Sequence, residues 1–127
     1  MKIKKPKTVR QLEKEADKYF SLMIRQRDAD RDGFCRCITC GVRKHWKEMD
    51  CGHFISRKHK STRYDPQNCA AQCKGCNIFS QGKQFEFGLA IDRRYGQGTA
   101  EKLLLKSKMI CKRNANTLIN MIKEFKE

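Results

Sequence analysis

Two short segments with the same spacing, CITC (37–40) and CKGC (73–76), decide how the middle of this chain folds. In each segment a tight turn brings two sulfur atoms toward one point, and two such turns complete the tetrahedron that zinc prefers. The 32 residues between the segments exceed the gap of a common zinc finger, which predicts a small module between the two halves. We therefore predict one structural Zn²⁺ ion, bound by Cys37, Cys40, Cys73 and Cys76.

The other cysteines do not share this spacing. Cys35 lies near enough to Cys37 to compete for the same ion, but Cys37 is the one that stands three residues before Cys40. A redox-active CxxC pair and packed free thiols are the alternatives to zinc binding. We interpret the remaining thiols as buried or incidental; they are Cys35, Cys51, Cys69 and Cys111.

The composition indicates a partner of opposite charge. Among 127 residues there are 29 Lys and Arg against 14 Asp and Glu, a formal net charge of +15 that is spread along the chain. Such an excess is typical of proteins that bind nucleic acid, although charge that only keeps the protein soluble is the alternative. The hydrophobic fraction of 39% predicts a modest core, which a bound metal would help to stabilise.

Targeting segments are not recognisable in the sequence. The basic start MKIKKPKTVR is not followed by the apolar segment of a signal peptide, and no run approaches the roughly 18 apolar residues of a membrane span. We expect a cytoplasmic protein with no membrane partner. In that reducing compartment cysteines serve more often as metal ligands than in disulfides.

Helical patterns begin before the cysteine-rich region. Thr8 with Gln11 matches a capping box, and the apolar residues that follow repeat on one face, which predicts a helix over about residues 9–27. The segment DADRDG (28–33) matches the opening of a calcium-binding loop. Thr39 stands where that loop needs a bidentate Glu, so we predict a polar turn.

Helical patterns return after residue 80. The segment QFEFGLAIDRRYG (84–96) predicts a helix with Phe85 and Leu89 on one side, and Thr99 can cap a further helix. A last apolar stripe runs to the C-terminus: Leu118, Ile119, Ile122 and Phe125. We predict a single domain, residues 1–127, made of an N-terminal helix (8–27), a metal-bound core (34–80) and C-terminal helices (81–127).

Three polar residues are interlocked with the two cysteine pairs. Apolar and small residues flank His53, which predicts that it lies on a short strand. Asn68 follows fifteen residues later, five before Cys73, and Asn77 comes directly after Cys76. The order His, Asn, Asn around two CxxC pairs is the most specific pattern in the chain.

This arrangement resembles the HNH, or ββα-metal, nucleases, and more closely the NinG/Rap family of lambda-like phages. The segments that carry the resemblance span roughly residues 15–97: CITCG, GHFISR, TRYDPQN, QCKGCN and the later YG at 95–96. The resemblance implies an α+β fold, in which a zinc-stabilised ββα-metal core is flanked by N-terminal and C-terminal helices. It also implies a recombination nuclease that nicks or resolves branched DNA, such as Holliday junctions and flaps, in the host cytoplasm.

The resemblance also implies roles for single residues. His53 becomes the general base that activates water, since histidine titrates near neutral pH. Asn77 becomes a ligand of the catalytic divalent metal, Mg²⁺ or Mn²⁺, because such hard cations prefer oxygen ligands. Asn68 braces the loop and so orients His53, and the zinc ion serves as the mount rather than the catalyst.

Two departures from the family pattern bear on catalysis. Gly52 stands where most HNH enzymes carry a metal-binding Asp, although NinG-like proteins also commonly read Gly-His there, and Ala70 replaces a histidine common in those proteins. The missing ligand then comes from elsewhere, from Asp50 or Asp65. A strand would place Asp50 on the opposite face from His53, and His53 acting as a metal ligand is a further alternative.

A basic cluster follows the proposed base. We expect it to contact the DNA backbone, which carries little sequence information and gives a steep dependence on salt. A solvated charged loop is the alternative. The cluster consists of Arg57, Lys58, His59, Lys60 and Arg63. We expect His45, beside Trp46, to lie in a hairpin loop.

Three functions follow from these patterns. The leading one is a metal-dependent endonuclease of HNH type that acts on branched DNA. A zinc-stabilised DNA-binding accessory protein with a decayed HNH site is favoured by Gly52 and Ala70. A sequence-specific homing or restriction-type enzyme is disfavoured, because no specificity domain is visible. Resolving a four-way junction needs two opposed cuts, so a homodimer formed through the amphipathic terminal helices would suit that substrate.

Overall fold

The computed structural model describes residues 4–127 and has a mixed α+β fold with two small antiparallel sheets. Short 3₁₀ turns lie at Trp46–Glu48 and Pro66–Asn68, and a π-helical turn at Gly75–Phe79. The strands are β1 (Phe34–Arg36), β2 (Arg43–His45), β3 (Met49–His53) and β4 (Cys69–Cys73). The helices are α1 (Val9–Arg27), α2 (Lys60–Arg63), α3 (Gln84–Tyr95), α4 (Thr99–Ser107) and α5 (Ala115–Lys126).

Helix α1 forms where its sequence signals predict. The Thr8 side chain accepts a hydrogen bond from the Gln11 backbone, and the Gln11 side chain accepts one from the Thr8 backbone, so the capping box is present. The apolar stripe of α1 is buried and packs against Leu118 and Ile122 of α5. We predicted that these two terminal helices could form a dimer interface. In the structure their buried apolar residues pack against each other within the chain.

The two sheets are hairpin-like pairs. Strand β1 pairs with β2, and β3 pairs with β4 in a register that puts His53 opposite Cys69. The DADRDG segment forms the predicted polar turn before β1, because the Asp30 carboxylate accepts hydrogen bonds from the backbone N–H groups of Asp32 and Phe34. His53 lies at the end of β3, as the flanking residues predict.

The C-terminal half corrects two details of the sequence reading. Helix α3 ends at Gly96, whose φ of 115° few residues other than glycine adopt. Its buried residues include Phe87 and Ile91, whereas Phe85 and Leu89 are exposed, because α3 packs through the other face onto α4 and the strand residue Ala70. Thr99 is not the cap of α4 but its first residue, and its hydroxyl donates a hydrogen bond to the Gly96 carbonyl.

Among the helices of residues 4–127, none combines the length and the apolar character that crossing a membrane requires.

Candidate metal centre and the adjoining cavity

The four predicted cysteines converge. The sulfur atoms of Cys37, Cys40, Cys73 and Cys76 all lie within 4.8 Å of one another. The Sγ atoms of Cys40 and Cys73 are 3.7 Å apart, close to the edge of about 3.8 Å that four sulfurs form around zinc at about 2.3 Å. The donors are those that zinc prefers, so the cluster can hold a structural metal such as zinc.

Each half of the cluster is fixed by a local turn. The Cys37 carbonyl accepts a hydrogen bond from the Gly41 backbone, which closes the first turn. The Cys73 sulfur, at the end of β4, accepts one from the Cys76 backbone. Burial raises the pKa of the Cys37 thiol, but hydrogen bonds from the Thr39 hydroxyl and from backbone groups outweigh burial and lower that pKa to about 6. The Cys37 thiolate is therefore available at neutral pH, and the other ligands would release their protons on binding a metal.

A cavity of about 420 Å³ opens beside this cluster. The residues lining it come from α1, β3 and the segments that follow β3 and β4, and they include Asp17, Phe20, Asp50, Cys51, His53, Arg57 and Asn77. Strand alternation predicts Asp50 and His53 on opposite faces, yet both reach this cavity. Among the described strands β3 pairs only with β4, so no strand covers its other edge, and the cavity is lined by side chains from both faces of β3.

His53 is held in one orientation. Its Nε2 lies 3.0 Å from the Arg63 carbonyl oxygen, so a neutral ring donates from Nε2 and keeps its lone pair on Nδ1. The ring packs 6.3 Å from the ring of Phe20, measured between centroids. Burial is the main influence on the pKa of His53 and lowers it, although hydrogen bonds with the backbone of Arg63 and Cys51 act the other way. The imidazole is therefore neutral at pH 7.

Asp50 and Asn77 contact each other across the cavity wall. The Asn77 amide donates from Nδ2 to the Asp50 carboxylate, at 3.0 Å, and Lys74 forms an ion pair with the other carboxylate oxygen at 2.7 Å. The amide oxygen of Asn77 takes no part in that contact. One carboxylate and one amide oxygen are suitable donors for Mg²⁺ or Mn²⁺.

Asp65, the alternative second ligand, is placed elsewhere. Its carboxylate accepts a hydrogen bond from the Gln67 backbone and forms an ion pair with Lys106 of α4 at 2.7 Å. Asp65 is not among the residues that line the cavity. Of the two candidates, Asp50 is therefore the carboxylate that the fold brings beside Asn77.

Asn68 is fully buried and ties one loop together. Its Nδ2 donates to the carbonyls of Ile55 and Thr62, at 3.0 and 3.1 Å. Its Oδ1 accepts from the Ile55 backbone at 2.8 Å. All of these partners lie in the segment between His53 and Arg63, so Asn68 fixes the path that carries the Arg63 carbonyl to the imidazole.

The basic cluster separates into exposed and engaged members. Arg57, Lys58, His59 and Lys60 are exposed, and Arg57 lines the cavity. Arg63 is instead half-buried and grips Asp17 of α1 with two hydrogen bonds, of 2.6 and 3.0 Å. Arg63 thus acts as a strut, a side chain that connects the segment after β3 to α1.

The Gln72 side chain, on the neighbouring strand, explains why position 52 is a glycine. A Cβ atom at Gly52 would lie 2.9 Å from Cβ of Gln72 and closer still to its Oε1. Gln72 is fully buried and donates from Nε2 to Thr39 and to the Gly82 carbonyl. Among the described residues its Oε1 has no hydrogen-bond partner. The space where a longer side chain at position 52 would begin is therefore filled by Gln72.

The remaining cysteines and histidines fall into two groups. Cys35 is a buried thiol that donates to the Arg25 carbonyl, and the imidazole of His45 caps a 3₁₀ turn by accepting from the Lys47 backbone. The interpretation of Cys51 and Cys69 as buried or incidental thiols stays a prediction: Cys69 is buried, and both sulfurs lie within 4.8 Å of a ring nitrogen of His53. Register explains this: all three side chains share one face of the β3–β4 pair.

Sequence reasoning missed Asp17 and Phe20. Both lie on α1 and line the cavity, and Asp17 also accepts a hydrogen bond from the Tyr64 hydroxyl at 2.9 Å. Phe20 belongs to the predicted apolar stripe, but no spacing rule links α1 to His53. Their role arises from the packing of α1 on β3.

The fold and the cluster define a small mixed α+β protein with a four-cysteine centre that can hold a metal. The profile of the NinG family, described as "Bacteriophage Lambda NinG protein", matches residues 1–127, and the chain belongs to this family. Two similar curated proteins, both named "Protein ninG", come from Escherichia phage 933W and Enterobacteria phage VT2-Sa. Each is 28% identical over 91 residues, which are 71% of this chain and 43% of the relative.

The chain thus spans less than half the length of the curated relatives it matches. No solved structure matches it.

Proposed function

We propose that this protein is a metal-dependent DNA endonuclease of HNH type that cuts branched DNA. One observation carries the proposal: His53, Asp50 and Asn77 line one cavity, and Asn77 directly follows the last cysteine of the metal centre. A base and two oxygen donors at one opening are the groups that phosphodiester hydrolysis needs. The β3–β4 pair followed by a helical turn agrees with a ββα-metal core.

His53 would act as the general base. Its ordinary role requires a neutral ring with a free lone pair, and the Nε2 contact with the Arg63 carbonyl leaves that lone pair on Nδ1. Burial keeps the pKa of His53 low, so the ring is ready to accept a proton from water at pH 7. Asn68 and Arg63 act as positioning residues, because they hold the loop whose carbonyl orients the ring.

Asn77 and Asp50 would hold the catalytic cation, Mg²⁺ or Mn²⁺. That cation supplies positive charge to the phosphate and to the leaving oxygen when it is bound. In the structure the Asn77 Nδ2 faces Asp50, so binding of the cation would exchange this hydrogen bond for ligation, with the Asn77 amide turned to present its oxygen. The cysteine cluster holds the helical turn that carries Asn77, which is the task of a structural metal rather than of a catalytic one.

Charge and exposed aromatic rings support DNA as the substrate. Arg57 and Lys58 are exposed beside the cavity and suit phosphate contacts. Phe79 and Phe85, which are 83% and 76% exposed, flank the cavity residues at positions 81, 82 and 84. Exposed rings stack on unpaired bases, which the single strand of a flap offers and a continuous duplex does not. We therefore favour a branched substrate over a continuous duplex.

The test is cleavage of labelled four-way, flap and linear DNA with Mg²⁺ or Mn²⁺. Wild type and His53→Ala are compared at equal zinc content, and we expect a loss of at least about a hundredfold in the variant. Phe79→Ala should lower cleavage of the flap more than cleavage of any linear duplex. Equal cutting by wild type and His53→Ala would overturn the proposal.

A non-catalytic DNA-binding accessory protein is the second candidate. It is favoured by the filled space at Gly52, where Gln72 takes the room that a metal-binding side chain would need. If wild type binds junction DNA but cuts no substrate with either cation, this second function replaces the first. Sequence-specific cutting of one linear duplex would instead indicate a restriction-type enzyme.

A further inference from the structure

A second group of metal-binding side chains lies on β3 and β4, apart from the four-cysteine cluster. The Cys51 sulfur, a ring nitrogen of His53 and the Cys69 sulfur all lie within 4.8 Å of one another. We propose that these three side chains bind one thiophilic divalent cation, such as Zn²⁺, and that this ion removes His53 from DNA cleavage. The inhibitory half of this inference rests on the proposed function, and the metal site does not.

The register of the sheet builds this site. His53 stands directly opposite Cys69, and Cys51 lies two residues before His53 on the same face. Cys69 is 1% exposed, whereas Cys51 and His53 are half-buried and line the cavity. An ion held by two sulfurs and one nitrogen would thus sit at the cavity wall, with its fourth position open to water.

The orientation of His53 is that of a metal ligand. Histidines that bind metals almost always donate their other ring N–H to a carbonyl or a carboxylate. The Nε2 of His53 has such a partner in the Arg63 carbonyl, at 3.0 Å. The remaining lone pair, on Nδ1, can either bind a cation or accept a proton from water, but it cannot do both at once.

A disulfide between the two cysteines fits the geometry less well. Cys51 pairs with Ala71 and Cys69 pairs with His53, so the cysteines are diagonal neighbours across the strands. Diagonal Cα atoms are about 7–8 Å apart, beyond the reach of about 6.8 Å that a disulfide allows. A metal ion extends that reach, because each sulfur lies about 2.3 Å from the ion.

The two proposed cations use different donors. Mg²⁺ and Mn²⁺ prefer the oxygens of Asp50 and Asn77, whereas thiolates select softer ions such as Zn²⁺. Zinc would therefore inhibit by taking the base and not by displacing the catalytic cation. Excess Mg²⁺ should leave this inhibition in place.

The test counts zinc in the full chain at buffered free zinc. We expect two ions per chain in wild type, one in Cys51→Ala, and two in the control Cys111→Ser, whose thiol lies outside both clusters. Cys51 is the ligand to replace because it is half-buried, whereas Cys69 belongs to the core. One ion per chain in wild type, or two in Cys51→Ala, would overturn the site.

A second measurement needs no variant. Co²⁺ added to wild type that carries one zinc should give sulfur-to-cobalt charge-transfer absorption, because Co²⁺ binds more weakly than Zn²⁺ and will not displace it from four thiolates. Absence of that absorption would overturn the site even if Cys51→Ala failed to fold.

The inhibitory role is tested by cleavage, each protein being compared with itself. Zinc should slow wild type and Cys111→Ser by roughly a hundredfold, the contribution of a general base, and should slow Cys51→Ala far less. A second bound zinc that leaves wild-type cleavage unchanged would overturn the inhibition while the site stands. If no protein cuts DNA before zinc is added beyond the structural ion, the proposed function fails together with the inhibition. The zinc count then decides alone whether the second metal site exists.

Discussion

The cysteine cluster and the His53 cavity lie side by side but are built differently. Each half of the cluster is a turn of four residues, closed by contacts such as that of the Cys76 backbone with the Cys73 sulfur. The cavity depends on long-range contacts, such as those that join Asp17 to Arg63 and Asp50 to Asn77. The cluster should therefore tolerate changes in the cavity, whereas the cavity should not survive loss of the cluster.

Loss of the cluster is the largest expected effect. Cys76→Ala, or removal of metal by a chelator, should withdraw metal-linked folding free energy on the order of 10 kcal/mol. The turn that carries Asn77 would lose its anchor, and the cavity with it. Thermal unfolding followed by circular dichroism, with zinc content measured in parallel, checks this. Cys111→Ala is the matched control, and a Cys76→Ala protein that unfolds like wild type would contradict the account.

Loss of the strut at Arg63 should separate the two regions. Arg63→Ala leaves Asp17 without its bidentate partner in a half-buried place, at a cost of about 2 kcal/mol, and frees the loop that orients His53. We expect cleavage to fall while zinc content stays equal to that of wild type. Arg57→Ala, which removes an exposed partner of the same carboxylate, should cost less than about 0.5 kcal/mol. Loss of zinc from Arg63→Ala would contradict the expectation that the cysteine cluster tolerates changes in the cavity.

The contact between Gly52 and Gln72 predicts a coupled pair. Gly52→Ala should destabilise the fold by about 1–3 kcal/mol, because the new Cβ meets the buried Gln72 side chain. In a Gln72→Ala background the same change should cost much less. A double-mutant cycle on denaturant unfolding measures the difference, and additive effects would show that Gln72 does not fill that space.

The pH dependence gives a smaller and more specific effect. The pKa of folded His53 is lowered, whereas in the unfolded chain it lies near the ordinary value of about 6.5. Between these two values the unfolded chain binds more protons, so the stability present above about pH 6.5 is lost as pH falls through the folded pKa. His53→Gln should flatten this part of the profile of unfolding free energy against pH. An unchanged slope would assign the effect to another group.

Sequence patterns predicted the parts of this molecule that depend on short spacing. The capping box at Thr8, the polar turn at Asp30 and the convergence of the four cysteines follow from residues only a few positions apart. The placement of His53 at a strand end also follows from its neighbours. Local hydrogen bonds and metal-ligand spacing determine these features, so they can be predicted without knowledge of the fold.

Other features depend on packing and had no short-range signal. The exposed side of α3 was misjudged because Phe85 and Leu89 are apolar, yet Phe87 and Ile91 face the core. Strand alternation predicted that Asp50 and His53 lie on opposite faces of β3. Both nevertheless line one cavity, because alternation does not describe which side chains reach a strand edge that no other strand covers. The approach of Asp17 to the loop, and of Cys51 and Cys69 to His53, required the register and the position of α1.

The most direct test of the account compares Asn77→Ala with wild type. We predict that both proteins carry the same amount of zinc and unfold at similar temperatures, while Asn77→Ala loses Mg²⁺-dependent cleavage of four-way DNA. That result would show that Cys76 serves in binding the structural zinc, whereas Asn77 of the same turn serves in cleavage. Cleavage by Asn77→Ala at the wild-type rate, or its loss only together with zinc, would contradict the division of labour proposed for this turn.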